Sequence, residues 1–69
     1  MGIDLGALKK EIKRANMSYS DIAEKLGITR SAFSEKMSGV NDFKASQTWA
    51  IKKILNLSGE KAEQIFFTQ

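Results

Sequence analysis

The chain has 69 residues, 42% hydrophobic and 28% charged, with a formal net charge of +3 from 11 Lys+Arg and 8 Asp+Glu. That length suits one globular domain with a small core. Cysteine and histidine are both absent, which excludes disulfides, the usual zinc ligands and the usual general base.

There is no proline, and no segment alternates with period two, so no strand is expected. Leu5, Leu8 and Ile12 recur at helical spacing and predict a first helix from about Asp4 to Ala15. Ser18-Tyr19-Ser20-Asp21 then has the form of a capping box, with Met17 and Ile22 placed to close a hydrophobic staple. The second helix runs to Leu26 and stops at Gly27, a residue able to take the left-handed conformation. Thr29 caps a third helix that carries Phe33 and Met37 inward and ends at Gly39, with Ile28 and Phe33 as a second staple.

Val40 to Lys44 reads as a loop with Phe43 turned into the core. A fourth helix from about Ala45 to Asn56 buries Ile51, Ile54 and Leu55, with Trp49 a further candidate; either Lys44 or Ser46 caps it. Ser58 opens a short last helix ending near Ile65, Phe66 and Phe67. The expectation is an all-α, five-helix domain over residues 1–69. Two-turn helices are marginal alone, because nucleation is costly. Paired caps and staples over about 18–38 fix one helix against the next, as a helix-turn-helix requires, and Ala23 is small where the two approach.

Charge is uneven along the chain. Lys9, Lys10, Lys13 and Arg14 cluster in the first helix, and Lys52 and Lys53 form a second group. From Met17 to Gly39, Lys25, Arg30 and Lys36 cancel Asp21, Glu24 and Glu35. A pI near 9.4 permits a polyanionic partner without demanding one, so a nucleic-acid reading rests on geometry.

The pattern Tyr19-x-x-Ile22-Ala23-x-x-Leu26-Gly27-Ile28-Thr29-x-x-x-Phe33-x-x-x-Met37-x-Gly39 resembles the Cro/C1-type (Xre-like) helix-turn-helix family of phage and bacterial transcription regulators. Phe43 and the run from Ile51 to Ser58 look like that family's fourth helix and its exit, and the resemblance spans about Leu5 to Phe67. It differs in detail. Tyr19 stands where the family often has a phosphate-gripping Gln. Ile12 and Met37 take the places of a common Arg–Glu pair, and Asn56 that of a common Gly.

On the third helix Arg30, Ser31, Ser34 and Glu35 share the face opposite the core residues. The resemblance implies that this face enters the major groove, where Arg30 can pair with guanine, Ser31 and Ser34 with either base type, and Glu35 with a cytosine amine. Glu35 can instead orient Arg30 or Ser31, or repel non-cognate DNA. Ser18, Tyr19, Ser20 and Thr29 at the helix starts, with Lys36, Asn41 and Lys44, are candidate phosphate contacts. The competing reading is a solvated face with ordinary caps, and it fits Ser18 equally well. The basic cluster of the first helix reads as a solvated face, and Trp49, Phe66 and Phe67 read as core or dimer surface.

No nucleophile has a base beside it and no spaced glycines form a phosphate loop, so an enzyme is not expected, nor a metal, a cofactor or a small-molecule ligand. No apolar run approaches a membrane span and the N-terminus lacks a signal peptide's apolar core, so the expected setting is cytoplasmic. The function expected is a sequence-specific double-stranded DNA reader, a weak homodimer on a near-palindromic operator. Without a second domain, it would be a standalone Cro-like protein or the DNA-binding fragment of a longer repressor. The alternative is a helical module, such as an antirepressor, that uses the same fold to grip a protein; the cancelled charge of Met17–Gly39 speaks for it.

Overall fold

Asp4 sets the start of the first helix. In the computed structural model, which describes residues 2–67, its Oδ1 accepts from Ala7 N–H at 3.0 Å. Five helices follow among the described residues: α1 (Leu5–Arg14), α2 (Tyr19–Leu26), α3 (Arg30–Met37), α4 (Ala45–Ile54) and α5 (Gly59–Phe66). The all-α expectation holds.

The same punctuation recurs down the chain. Ser18 Oγ accepts from Asp21 N–H at 3.0 Å while Asp21 Oδ2 accepts from Ser18 N–H at 2.9 Å, completing the capping box. Thr29 Oγ1 accepts from Ala32 N–H, and Ser58 Oγ from Lys61 N–H, each at 3.0 Å. Lys44, not Ser46, caps α4. A lysine side chain has no acceptor, so only the reverse half of a box forms there, with Gln47 Oε1 accepting from Lys44 N–H at 2.8 Å.

The endings repeat too. Asn16, Gly27, Gly39 and Asn56 all have positive φ, between 54° and 86°. Behind each, two bonds close the last turn: Met17 N–H to Ile12 and Asn16 N–H to Lys13 after α1, and Ile28 to Ala23 and Gly27 to Glu24 after α2. Val40 to Glu35 and Gly39 to Lys36 finish α3; Leu57 to Lys52 and Asn56 to Lys53 finish α4. These are Schellman endings, which satisfy carbonyls that a helix end leaves orphaned. The left-handed residues therefore lie outside the helices, so α3 stops at Met37 rather than Gly39, and α4 at Ile54 rather than Asn56.

In a Schellman ending the residue after the left-handed one usually packs back on the helix. Met17, Ile28 and Leu57 all pack on the core. Val40 does not; it is 71% exposed.

The core joins Leu8 and Ile12 of α1, Ile22 and Ala23 of α2, Phe33 and Met37 of α3, Ile51 of α4, and Ala62, Ile65 and Phe66 of α5. Phe33 is fully buried at its centre, with Tyr19 edge-on at 5.1 Å and Phe43 at 5.8 Å between ring centroids. Helix α2 packs on α3 and α4, and α1 on α5, where Asp4 N–H donates to the Ile65 carbonyl at 2.7 Å. Of the two places the sequence offers Trp49, core or surface, the structure excludes the core: it is 59% exposed. It lies two residues from buried Ile51, roughly 200° around the helix, and so faces away from the core.

Candidate nucleic-acid interface

Burial of Phe33 and Met37 fixes the rotation of α3. At about 100° per residue, Arg30, Ser31, Ser34 and Glu35 then occupy an arc of about 140°. Arg30, Ser31 and Glu35 are exposed and Ser34 is half-buried. Among the described residues the single ion pair is Arg14–Glu11 at 3.9 Å, so the Arg30 guanidinium has no carboxylate partner there. An exposed, unpaired guanidinium on the first turn of a rigid helix is suited to a bidentate acceptor.

Glu35 is differently placed. Its Oε1 accepts from Asn41 Nδ2 at 3.1 Å, so its side chain is tied to the loop after α3 rather than to Arg30 or Ser31. Its backbone carbonyl collects Ser38 Oγ–H at 2.9 Å, Val40 N–H at 3.0 Å and Asn41 N–H at 3.4 Å. One oxygen of the carboxylate, Oε2, keeps its acceptor capacity. Glu35 thus anchors the loop and holds Asn41 beside the α3 face. The sequence carried no signal for this pair, because it depends on the loop's conformation.

Lys36 is also engaged: its Nζ donates to the Asp42 carbonyl at 3.0 Å and lies 6.0 Å from the centre of the Phe43 ring. An ammonium has three protons, so donors remain. Lys44 is exposed at the head of α4. Val40, which the sequence did not single out, stands between Gly39 and Asn41 as a protruding apolar side chain.

The start of α2 offers amides rather than charge. The capping box uses Ser18 N–H and Asp21 N–H, whereas Tyr19 N–H and Ser20 N–H are the uncommitted donors of the first turn. Asp21 brings a negative charge to the same turn. Hydrogen bonds from the Ser18 backbone N–H, then from its side chain, hold that carboxyl below its ordinary value of 3.8. Arg30 N–H and Ser31 N–H are likewise uncommitted behind the Thr29 cap. Ser20 is exposed, and Tyr19 is half-buried against Phe33.

The structure therefore gathers Arg30, Ser31, Ser34, Glu35, Lys36 and Asn41 on α3 and the loop behind it. The start of α2 is linked to α3 through the Tyr19–Phe33 contact. Lys9, Lys10, Lys13 and Arg14 are exposed along α1. Among the described residues no group of acidic side chains is spaced to hold a metal ion, and no helix is long and apolar enough to cross a membrane. No family model, curated protein or solved structure compared with the chain matches it.

Proposed function

We propose that α2 and α3 form a helix-turn-helix that reads double-stranded DNA, with α3 in the major groove, in a transcriptional regulator of the phage Cro or repressor kind. The observation that carries this reading is the outward face of α3. Arg30 is exposed and unpaired there, beside two serines, on a helix whose rotation a fully buried Phe33 fixes. Arg30 supplies a bidentate donor for guanine, Ser31 and Ser34 adaptable contacts, and Oε2 of Glu35 an acceptor for a cytosine amine.

The Tyr19 and Ser20 amides, with Ser18 and Thr29 hydroxyls, Asn41 and Lys44, suit flanking phosphates. Lys36 contributes positive potential from its tethered position. Val40 adds an apolar tip suited to a thymine methyl. One copy spans about one half-site, so a homodimer on a near-palindromic operator completes the reading, in the bacterial cytoplasm where such an operator lies.

Selection from random duplexes at moderate salt tests it. A single enriched half-site motif is expected, with log K falling against log salt at a slope of about −2 per copy, since Lys36 and Lys44 can each neutralise one phosphate. No enrichment, with weak and salt-independent binding, would refute it. That result would favour the rival reading, a protein-binding module, which the balanced charge of Met17–Gly39 supports.

A further inference from the structure

The loop behind α3 is held from both sides. Gly39 turns the chain at φ +86°, and the Glu35 carbonyl takes the N–H groups of Val40 at 3.0 Å and Asn41 at 3.4 Å. One residue further on, the Asp42 carbonyl accepts from Lys36 Nζ at 3.0 Å. Asn41 therefore stands between two anchors that both belong to α3, which fix its backbone relative to that helix. Its side chain returns to the same helix, where Nδ2 donates to Glu35 Oε1 at 3.1 Å.

An ionised carboxylate only accepts, so the amide nitrogen is the end of Asn41 that must face Glu35. That leaves a second N–H on Asn41 and the oxygen Oε2 on Glu35, and both residues are exposed. A glutamate side chain has three rotatable bonds, and near a duplex the phosphates repel a free carboxylate away from the groove. Held by Asn41, the carboxylate keeps one direction before DNA arrives, so little ordering is left for the binding step.

We infer that Asn41 is a positioning residue: it aims the Glu35 carboxylate at a base edge and so sets the base preference there, while its second N–H is left for a flanking phosphate. A phosphate gripped by that N–H and a base amine gripped by Oε2 are then joined through one hydrogen bond of 3.1 Å. The contact that fixes the backbone also places the acceptor. The inference rests on the DNA reading above and goes beyond it. A neutral loop residue that only touched phosphate would add affinity to every sequence alike, whereas Asn41 becomes a determinant of specificity at a base it does not touch.

The test uses the full chain and has two arms, with melts to show that each variant is folded. Without DNA, nuclear magnetic resonance couplings about the Glu35 side-chain bonds are compared in the parent and Asn41→Ala. One rotamer is expected in the parent, and averaging over several in the variant. With DNA, affinity is measured for duplexes carrying each of the four bases at the position whose preference Glu35→Ala removes. The parent should favour cytosine there by about tenfold, and Asn41→Ala by about twofold or less, with preferences at other positions kept. Asn41→Asp, of nearly the same shape but without a donor, should lose the preference as well. Added to Glu35→Ala, Asn41→Ala should weaken all four duplexes by one common factor.

An Asn41→Ala or Asn41→Asp variant that binds all four duplexes more weakly but keeps the cytosine preference would make Asn41 a phosphate contact alone, and overturn the inference. So would a parent whose Glu35 already averages over rotamers without DNA, or a Glu35→Ala variant that removes preference at no position. The DNA reading fails by a different result, the enrichment of no motif at all, and that result takes this inference with it.

Discussion

Replacing Phe33 by alanine tests the facing of α3, on which the rest of the site depends. The side chain is fully buried and contacts two rings, Tyr19 at 78° and Phe43 at 63° between planes. Truncating a buried phenylalanine costs about 3–5 kcal/mol through lost transfer energy and the cavity left behind. The two edge-on aromatic pairs place this site toward the upper end of that range. A domain of this size has only about 3–10 kcal/mol of total stability. At about 4–8 °C per kcal/mol, a loss of 3 kcal/mol alone lowers the melting temperature by about 12–24 °C. Phe33→Ala is therefore expected to be largely unfolded near 37 °C, or to melt far below the parent. Phe33→Leu, which removes fewer buried methylenes, should lose about 1–2 kcal/mol. Far-ultraviolet circular dichroism during heating and urea titration measures both. A Phe33→Ala melt that overlays the parent would refute the packing, and the orientation of Arg30, Ser31 and Ser34 with it.

Arg30→Ala should relax base preference at one position and cost about 1–3 kcal/mol on the selected site, with little change on random duplex; equal losses on all sequences would make Arg30 a phosphate contact. Asp21 has its pKa depressed by the Ser18 bonds, so its stabilisation is present above the ordinary aspartate value and is lost as pH falls through the lower folded value. The parent's melting temperature should therefore drop more steeply below about pH 4 than that of Asp21→Asn; parallel acid profiles would count against the capping box. Gly27 has φ +74° and nothing within 4 Å of an added Cβ, so Gly27→Ala should cost about 1–2 kcal/mol by backbone strain alone. A melt equal to the parent's would show that the turn can relax.

The parts of the fold visible in the sequence are those written locally. Ser18 with Asp21, Thr29, Gly27 and Ser58 each announce a helix end within four residues, and each acts as one in the structure. Asn16 escaped notice as a left-handed ending because asparagine takes that conformation without demanding it. For Trp49 the sequence leaves core and dimer surface both open, and its exposure, two residues from Ile51, removes the first. The outward placement of Ser31 and Glu35 follows from helical periodicity once Phe33 and Met37 are read as core, whereas Arg30, in line with those two at i, i+3 and i+7, is exposed because it stands at the first position of α3. The bond from Asn41 to Glu35 and that from Lys36 to the Asp42 carbonyl were not legible, because both depend on the path of a loop with no periodicity. The division of labour between Phe66, buried at 7%, and exposed Phe67 turns on where α5 ends.

No polar or charged side chain is buried among the described residues. With no interior hydrogen bond or ion pair whose partner lies at the surface, exchanges at Arg30, Ser31 or Ser34 orphan nothing inside. Surface substitutions away from special features usually change stability by less than about 0.5 kcal/mol. The exposed surface of α3 can therefore drift through sequence space almost independently of folding: a lineage could exchange its side chains in single steps, each encoding a chain that still folds.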